Sequence, residues 1–107
     1  GMKIDIHRKA FALANETGGV SGPAIHPIAV RMVYQTARAV KLPIIGMGGI
    51  SCAEDAIELI LAGASAVSIG TANFHNPAVT MEIADGIEEY MERNGFQSVS
   101  DMVGIVK

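Results

Sequence analysis

The sequence predicts an α/β fold in which short parallel strands alternate with helices, and three features predict it. Two apolar runs, Pro43-Ile44-Ile45-Gly46-Met47 and Ala66-Val67-Ser68-Ile69, have the look of buried strands. Each leaves through glycine, at Gly48-Gly49 and at Gly70, as a sharply bending strand exit requires. Each is then followed by apolar residues at the three-and-four spacing of a helix. Strand, glycine turn and helix, repeated, is the pattern of right-handed βαβ units. Such strands need cover on both faces, yet the chain offers only two of them against three or four helices, so the sheet is expected to be incomplete.

The elements follow in order. Lys3 to Leu13 alternates weakly and is read as a small β excursion, leading to the glycine-rich loop Thr17-Gly18-Gly19-Val20-Ser21-Gly22-Pro23. From Ile25 to Val40, the residues Ile25, Ile28, Ala29, Met32, Val33, Thr36, Ala37 and Val40 form one helical face opposite Arg31, Gln35 and Arg38. Pro27 suits the first turn of that helix, and Pro43 marks the break into the first strand. A second helix carries Ala53, Ile57, Ile60 and Leu61 inward, with Ser51 and Glu54 at capping-box spacing and Gly63 as its stop. Asn76 and Pro77 open a third helix with Val79, Ile83, Ile87 and Met91 inward and Gly95 at its end. A last short helix is expected between Phe96 and Lys107, capped by Ser98 or Ser100.

At 107 residues, 50% of them hydrophobic and 18% charged, residues 1–107 are sized for one globular domain. A net charge of -3, with eight Lys and Arg scattered along the chain, gives no footprint for nucleic acid. No apolar run approaches the ~18 residues of a membrane span, and no signal peptide is evident, so the chain is read as cytoplasmic. Cys52 stands alone, which excludes an internal disulfide and a cysteine metal cluster; it is read as a small half-buried residue. His7, His26 and His75 share no ligand spacing and are read as surface or loop histidines, so no metal site is expected. Glu88, Glu89 and Glu92 are a solvated helix face, and Asn73 and Asn76 are turn and cap residues.

The chemistry that remains is phosphate binding. Consecutive parallel strands ending in Gly48-Gly49 and Gly70-Thr71 bring two sets of backbone N–H groups to one rim, where glycine allows close approach and Thr71 adds a hydroxyl. Loops after the last strands of a (β/α)8 barrel are a recurrent place for such sites.

Three segments, Thr17 to Ala24, Pro43 to Ile50 and Ile69-Gly70-Thr71-Ala72-Asn73-Phe74, resemble dihydroorotate dehydrogenase in order and spacing over nearly the whole chain. The likeness is to the bacterial NAD-linked type, whose catalytic subunit pairs with an iron-sulfur FAD subunit. It implies the C-terminal βα units of a (β/α)8 TIM barrel, an incomplete barrel, with FMN at its C-terminal face. In that family the flavin takes a hydride from dihydroorotate while a cysteine removes a proton, a step of pyrimidine biosynthesis. The resemblance implies that Gly22, Gly48, Gly49, Gly70 and Thr71 contact FMN, Gly22 near the flavin and the two later pairs around the phosphate; Ser21 is a lesser candidate. It places the catalytic cysteine, the flavin-binding lysines and the orotate-binding asparagines upstream of Gly1. Cys52, on the phosphate side, does not replace that cysteine, so no catalytic residue is expected in this chain. The expected protein is therefore an inactive piece of the enzyme; the alternative is a non-catalytic FMN or phosphate-binding module. Uncovered sheet edges further predict a homo-oligomer.

Overall fold

The computed structural model describes residues 1 to 107. Its centre is a βαβ unit. Strand β3 (Ile45–Met47), helix α2 (Ala53–Ala62) and strand β4 (Ala66–Ser68) follow one another, after a small antiparallel hairpin of β1 (Ile4–Asp5) and β2 (Ala10–Phe11). β3 and β4 pair in parallel, with Ile45 opposite Ala66 and Met47 opposite Ser68. Helices α1 (His26–Ala39) and α4 (Val79–Asn94) pack against either side of α2, and a four-residue helix, α3 (Ala72–His75), joins β4 to α4. The sheet and its helices make two layers, in keeping with a shortest dimension of 18 Å.

Strand pleat sorts the residues. Gly46 points toward α2, where its Cα lies so close to Leu59 and Ala64 that an added Cβ would stand 2.9 Å from the Ala64 Cβ. Leu59, Ala56 and Ala64 are fully enclosed there, with Ala29 and Val33 from α1 and Val79 and Ile83 from α4 closing the core. Behind α2, Met102 fills a second cluster with Ile57 and Ile60, and the tail is tied on by the Gly104 and Val106 N–H groups donating to Ile60 and Leu61 carbonyls.

The opposite face of the pair is open. Ile45 is 63% exposed and Met47 59%, and on α1 Ile28 is 55% and Met32 61% exposed. The strands expected to be buried are thus covered on the helix side alone, because nothing in the chain packs on the other. The same gap divides the predicted face of α1: Ala29 and Val33 meet α2, whereas Ile28 and Met32 line a shallow apolar groove with Ile44, Ile45 and Met47.

Helix ends mostly follow their sequence signals. Gly95 stops α4 in the left-handed region with φ of 73°, and Ser98 forms a capping box with Asp101 at a final 3-10 turn. Two details differ. The Ser51–Glu54 box does not form; Ser51 instead donates from its N–H and its hydroxyl to Asp55 Oδ2, at 2.8 and 2.9 Å, because Asp55 sits one turn up and faces back over the helix start. Asn76 and Pro77 precede α4 as a turn, with Asn76 Oδ1 accepting the Ala78 N–H, and the helix itself begins at Val79.

Glycine is demanded most strongly at Gly63, where φ is 134° and an added Cβ would run into the Ala37 Cβ on α1. Gly95 also has positive φ but open space around it. Gly95→Ala is expected to lower unfolding free energy by about 1 kcal/mol, the cost of a left-handed L-residue. Gly63→Ala adds displacement of α1 and is expected to cost about 2–4 kcal/mol, as overpacking combines with strain. Paired urea titrations compare the two, and equal losses would contradict the packing account.

Candidate functional site

Because β3 and β4 run in parallel with Met47 opposite Ser68, their exits lie side by side at one end of the pair. A cavity of about 560 Å³ opens there, lined by Ser21, Gly22, Met47, Gly48, Gly49, Ser51, Ser68, Gly70, Thr71, His75 and Asn76 among others. All five glycine and threonine positions picked from the sequence, Gly22, Gly48, Gly49, Gly70 and Thr71, stand on this one wall, and Ser21 with them. They come from three separate segments.

Backbone shape explains the residue types. Gly22, Gly48 and Gly49 all have positive φ, at 102°, 120° and 70°. A Cβ on Gly49 would lie 2.8 Å from the Gly22 carbonyl oxygen and 2.7 Å from the His26 Cβ, so the Gly22 loop and the Gly49 turn touch backbone to backbone. Gly70 has nothing within 4 Å of a hypothetical Cβ. Its side of the turn faces open space, into which a side chain would project. The N–H groups of Gly49, Gly70 and Thr71 donate to no acceptor of the protein, which leaves them for a ligand in the cavity.

Beside the turn lies a polar cluster that sequence reasoning missed. His26, expected on the surface or in a loop, is buried at 7% exposure as the first residue of α1. Its Nδ1 lies 2.9 Å from the Gly48 carbonyl oxygen and its Nε2 2.9 Å from Glu58 Oε2, with Asp55 Oδ1 at 3.7 Å. Burial pushes the Asp55 carboxyl up, but the two Ser51 hydrogen bonds, Cys52 and the charge of His26 outweigh it and hold the group below its ordinary value of 3.8. Cys52 is exposed, not half-buried, because it occupies the N-cap of α2 where the chain enters from the turn. Partial desolvation raises its thiol above the ordinary value against a hydrogen bond from the Asp55 backbone, and Glu54 and Asp55 add to the rise, so the thiol is a weak nucleophile.

His75 and Asn76 were read as loop and cap residues, and both also reach the cavity wall. Asn73 holds the second turn together, its Nδ2 donating to the Ile69 and Gly70 carbonyls at 2.8 and 3.0 Å. His7 lies at the N-terminal hairpin, away from this wall. No group of three or more His, Cys, Asp or Glu side chains is arranged to hold a metal ion. No helix is long and apolar enough to cross a membrane.

Residues 1–91 match the family model described as dihydroorotate dehydrogenase. The chain belongs to that family. Over 107 residues it is 64% identical to dihydroorotate dehydrogenase B (NAD(+)), catalytic subunit, of Lachnoclostridium phytofermentans, covering 100% of this chain and 36% of that protein. It is 57% identical over 104 residues to the catalytic subunit of the same name from Alkaliphilus oremlandii, covering 97% of this chain and 34% of the relative. Among solved structures, the DHODH of Eimeria tenella in complex with ferulenol superposes with a TM-score of 0.79 at 28% identity, over 98% of this chain and 29% of that one. The chain thus spans about a third of the length of the dihydroorotate dehydrogenases it matches. Relatives named as a catalytic subunit belong to enzymes with more than one kind of subunit.

The depressed Asp55 value makes a pH prediction. A carboxyl whose folded value lies below its unfolded one stabilises the fold above the unfolded value, and that contribution disappears as pH falls through the folded value. The wild type is therefore expected to exceed Asp55→Asn in urea midpoint at about pH 6, with the gap closing as pH drops below 3.8. A gap independent of pH would refute the charge-based account.

Proposed function

We propose that this chain is the C-terminal FMN-phosphate-binding part of a dihydroorotate dehydrogenase, a single domain over residues 1–107 forming the last βα units of an incomplete (β/α)8 barrel. The observation that carries the reading is the convergence of Gly22, the Gly48-Gly49 turn and the Gly70-Thr71 turn on one cavity with unpaired backbone N–H groups.

The residues fit the group. Glycine at both strand exits allows phosphate oxygens to approach the backbone, the Gly49, Gly70 and Thr71 N–H groups are free to donate, and the Thr71 hydroxyl adds a further donor. Gly22 lines the same cavity and, as the family resemblance implies, would lie near the flavin. FMN, when bound, supplies the two-electron acceptor for oxidation of dihydroorotate to orotate. The part of this chain is to hold and orient it, since Cys52, on the α2 N-cap with a raised thiol value, is not suited to remove the substrate proton. In the whole enzyme the partner would be an iron-sulfur FAD subunit that passes electrons to NAD, in the cytoplasm. Alone, the chain is proposed to lack turnover and to self-associate through the open face bearing Ile28, Met32, Ile45 and Met47.

Titration of FMN fluorescence tests the binding. Gly70→Val projects into open space and is expected to leave stability within about 0.5 kcal/mol while weakening FMN at least ~10-fold. Absence of quenching by the wild-type chain at millimolar concentration would reject the reading. With dihydroorotate and a dye acceptor the chain is expected to give no turnover, and light scattering is expected to report a dimer or larger; measurable oxidation or a stable monomer would contradict those two parts.

A further inference from the structure

The Gly48–Gly49 turn has a conformation that few residues adopt, with φ of 120° and 70°, and it makes no backbone ladder beyond Met47. Something must hold it. A glycine pair in open solvent would sample many conformations, because glycine has the largest backbone freedom to lose. The structure supplies a fixed point at each end of the turn. At its far end, the Ser51 N–H is held by Asp55 Oδ2. At its near end, the Gly48 carbonyl is held by His26.

His26 is suited to this in three ways. It is buried, so its hydrogen bond to Gly48 is shielded from water. It stands at the start of α1, directly after the Gly22–Ile25 segment, so one residue ties that loop to the turn, and its Cβ packs within 2.7 Å of where a Gly49 Cβ would be. Its second nitrogen is anchored on α2 by Glu58, with Asp55 beyond, which fixes the plane of the ring. The groups facing the imidazole are the Gly48 carbonyl from the turn and Asp55 and Glu58 from α2; Arg31, one turn along α1, shares a groove with Glu58. Both near partners, the Gly48 carbonyl and the Glu58 carboxylate, are hydrogen-bond acceptors.

We propose that His26 is a positioning residue of the cofactor site, locking the Gly48–Gly49 turn against the Gly22 loop through its hydrogen bonds to the Gly48 carbonyl and to Glu58. The consequence for FMN rests on the reading given above; the locking of the turn does not. His26 touches no ligand position itself and acts through the backbone N–H groups that the turn presents.

His26→Asn and His26→Leu are nearly equal in size, and only Asn keeps a donor near the Nδ1 position. Backbone 15N relaxation of the chain reads the turn directly. In the wild type, order parameters at Gly48 and Gly49 are expected near the rigid value of about 0.85, falling below about 0.6 in His26→Leu and to a value between the two in His26→Asn, which keeps the donor to Gly48 but loses the anchor on Glu58. Order parameters at Leu59 and Ile60 in the core report whether the fold is intact. Glu58→Ala, at a side chain 61% exposed, leaves the core in place and is expected to loosen the same two glycines by releasing Nε2. Equal rigidity in His26→Leu and His26→Asn, or unchanged glycines in Glu58→Ala, would overturn the proposal. FMN titration of the same variants gives a second readout: about tenfold weaker binding in His26→Leu, with partial recovery in His26→Asn. A wild-type chain with a rigid turn and no FMN binding would sink the cofactor assignment and with it the cofactor part of this proposal, while the relaxation data alone decide whether His26 locks the turn.

Discussion

Helix α2 can sit at the centre of this chain because glycine or alanine faces it on three sides. Gly46 of β3 meets Leu59 and Ala64, Gly63 lies against Ala37 of α1, and Gly86 of α4 lies against Ala53. At each place the backbones approach to a distance that a larger side chain would forbid. Dispersion and burial then accumulate over a small but dense core, in which Ala56, Leu59 and Ala64 are fully enclosed. Everything that carries the candidate site is hung from this helix: β3 and β4 reach it from one side, α1 from another, and the turn after β3 runs directly into its first residue.

The site inherits its order from that arrangement. Its three segments are far apart in sequence; the Gly48–Gly49 turn is pinned by His26 at the start of α1 and, through Ser51, by Asp55 near the start of α2, while the Gly70–Thr71 turn is held by Asn73 on α3. Asp55 and Glu58, one turn apart on α2, serve Ser51 and His26 respectively, so one helix face determines both ends of the Gly48–Gly49 turn. No buried side-chain nitrogen or oxygen lacks a partner, so this cluster leaves no unpaired polar group behind. At the cavity the free donors are the backbone N–H groups of Gly49, Gly70 and Thr71, the kind of donor set that recognises an anion through the main chain.

Much of this was legible in the sequence because it is local. Apolar runs bounded by glycine gave β3 and β4, helical periods gave α1, α2 and α4, and Gly95 and Ser98 marked their ends as their backbone preferences require. Gly48, Gly49, Gly70 and Thr71 were legible for the same reason, as each pair sits at a strand exit, whereas Gly22, in the loop before α1, was reached only through the family resemblance. What was not legible is non-local. His26 contacts partners 22 and 32 residues away, and its own neighbours in sequence, Ile25 and Pro27, carry no sign of them. Ser51 had two acidic residues within reach, and periodicity alone did not tell Glu54 from Asp55. Similarly, a helical period reveals that Ile28 and Met32 share an apolar stripe with Ala29 and Val33, but the width of the stripe that finds a partner depends on what is packed there.

The open apolar face and the cavity are not independent features. Ile25 and Met47 line both, so the groove running between α1 and β3 continues into the site at the end of β3. Any surface that covers Ile28, Met32 and Ile45 therefore also narrows one side of the cavity and removes water from around the Gly48–Gly49 turn. Main-chain hydrogen bonds to an anion strengthen as the local dielectric falls. Covering the face and holding a phosphorylated ligand should then favour one another, since whichever occurs first orders the strand edge and turn that the other needs.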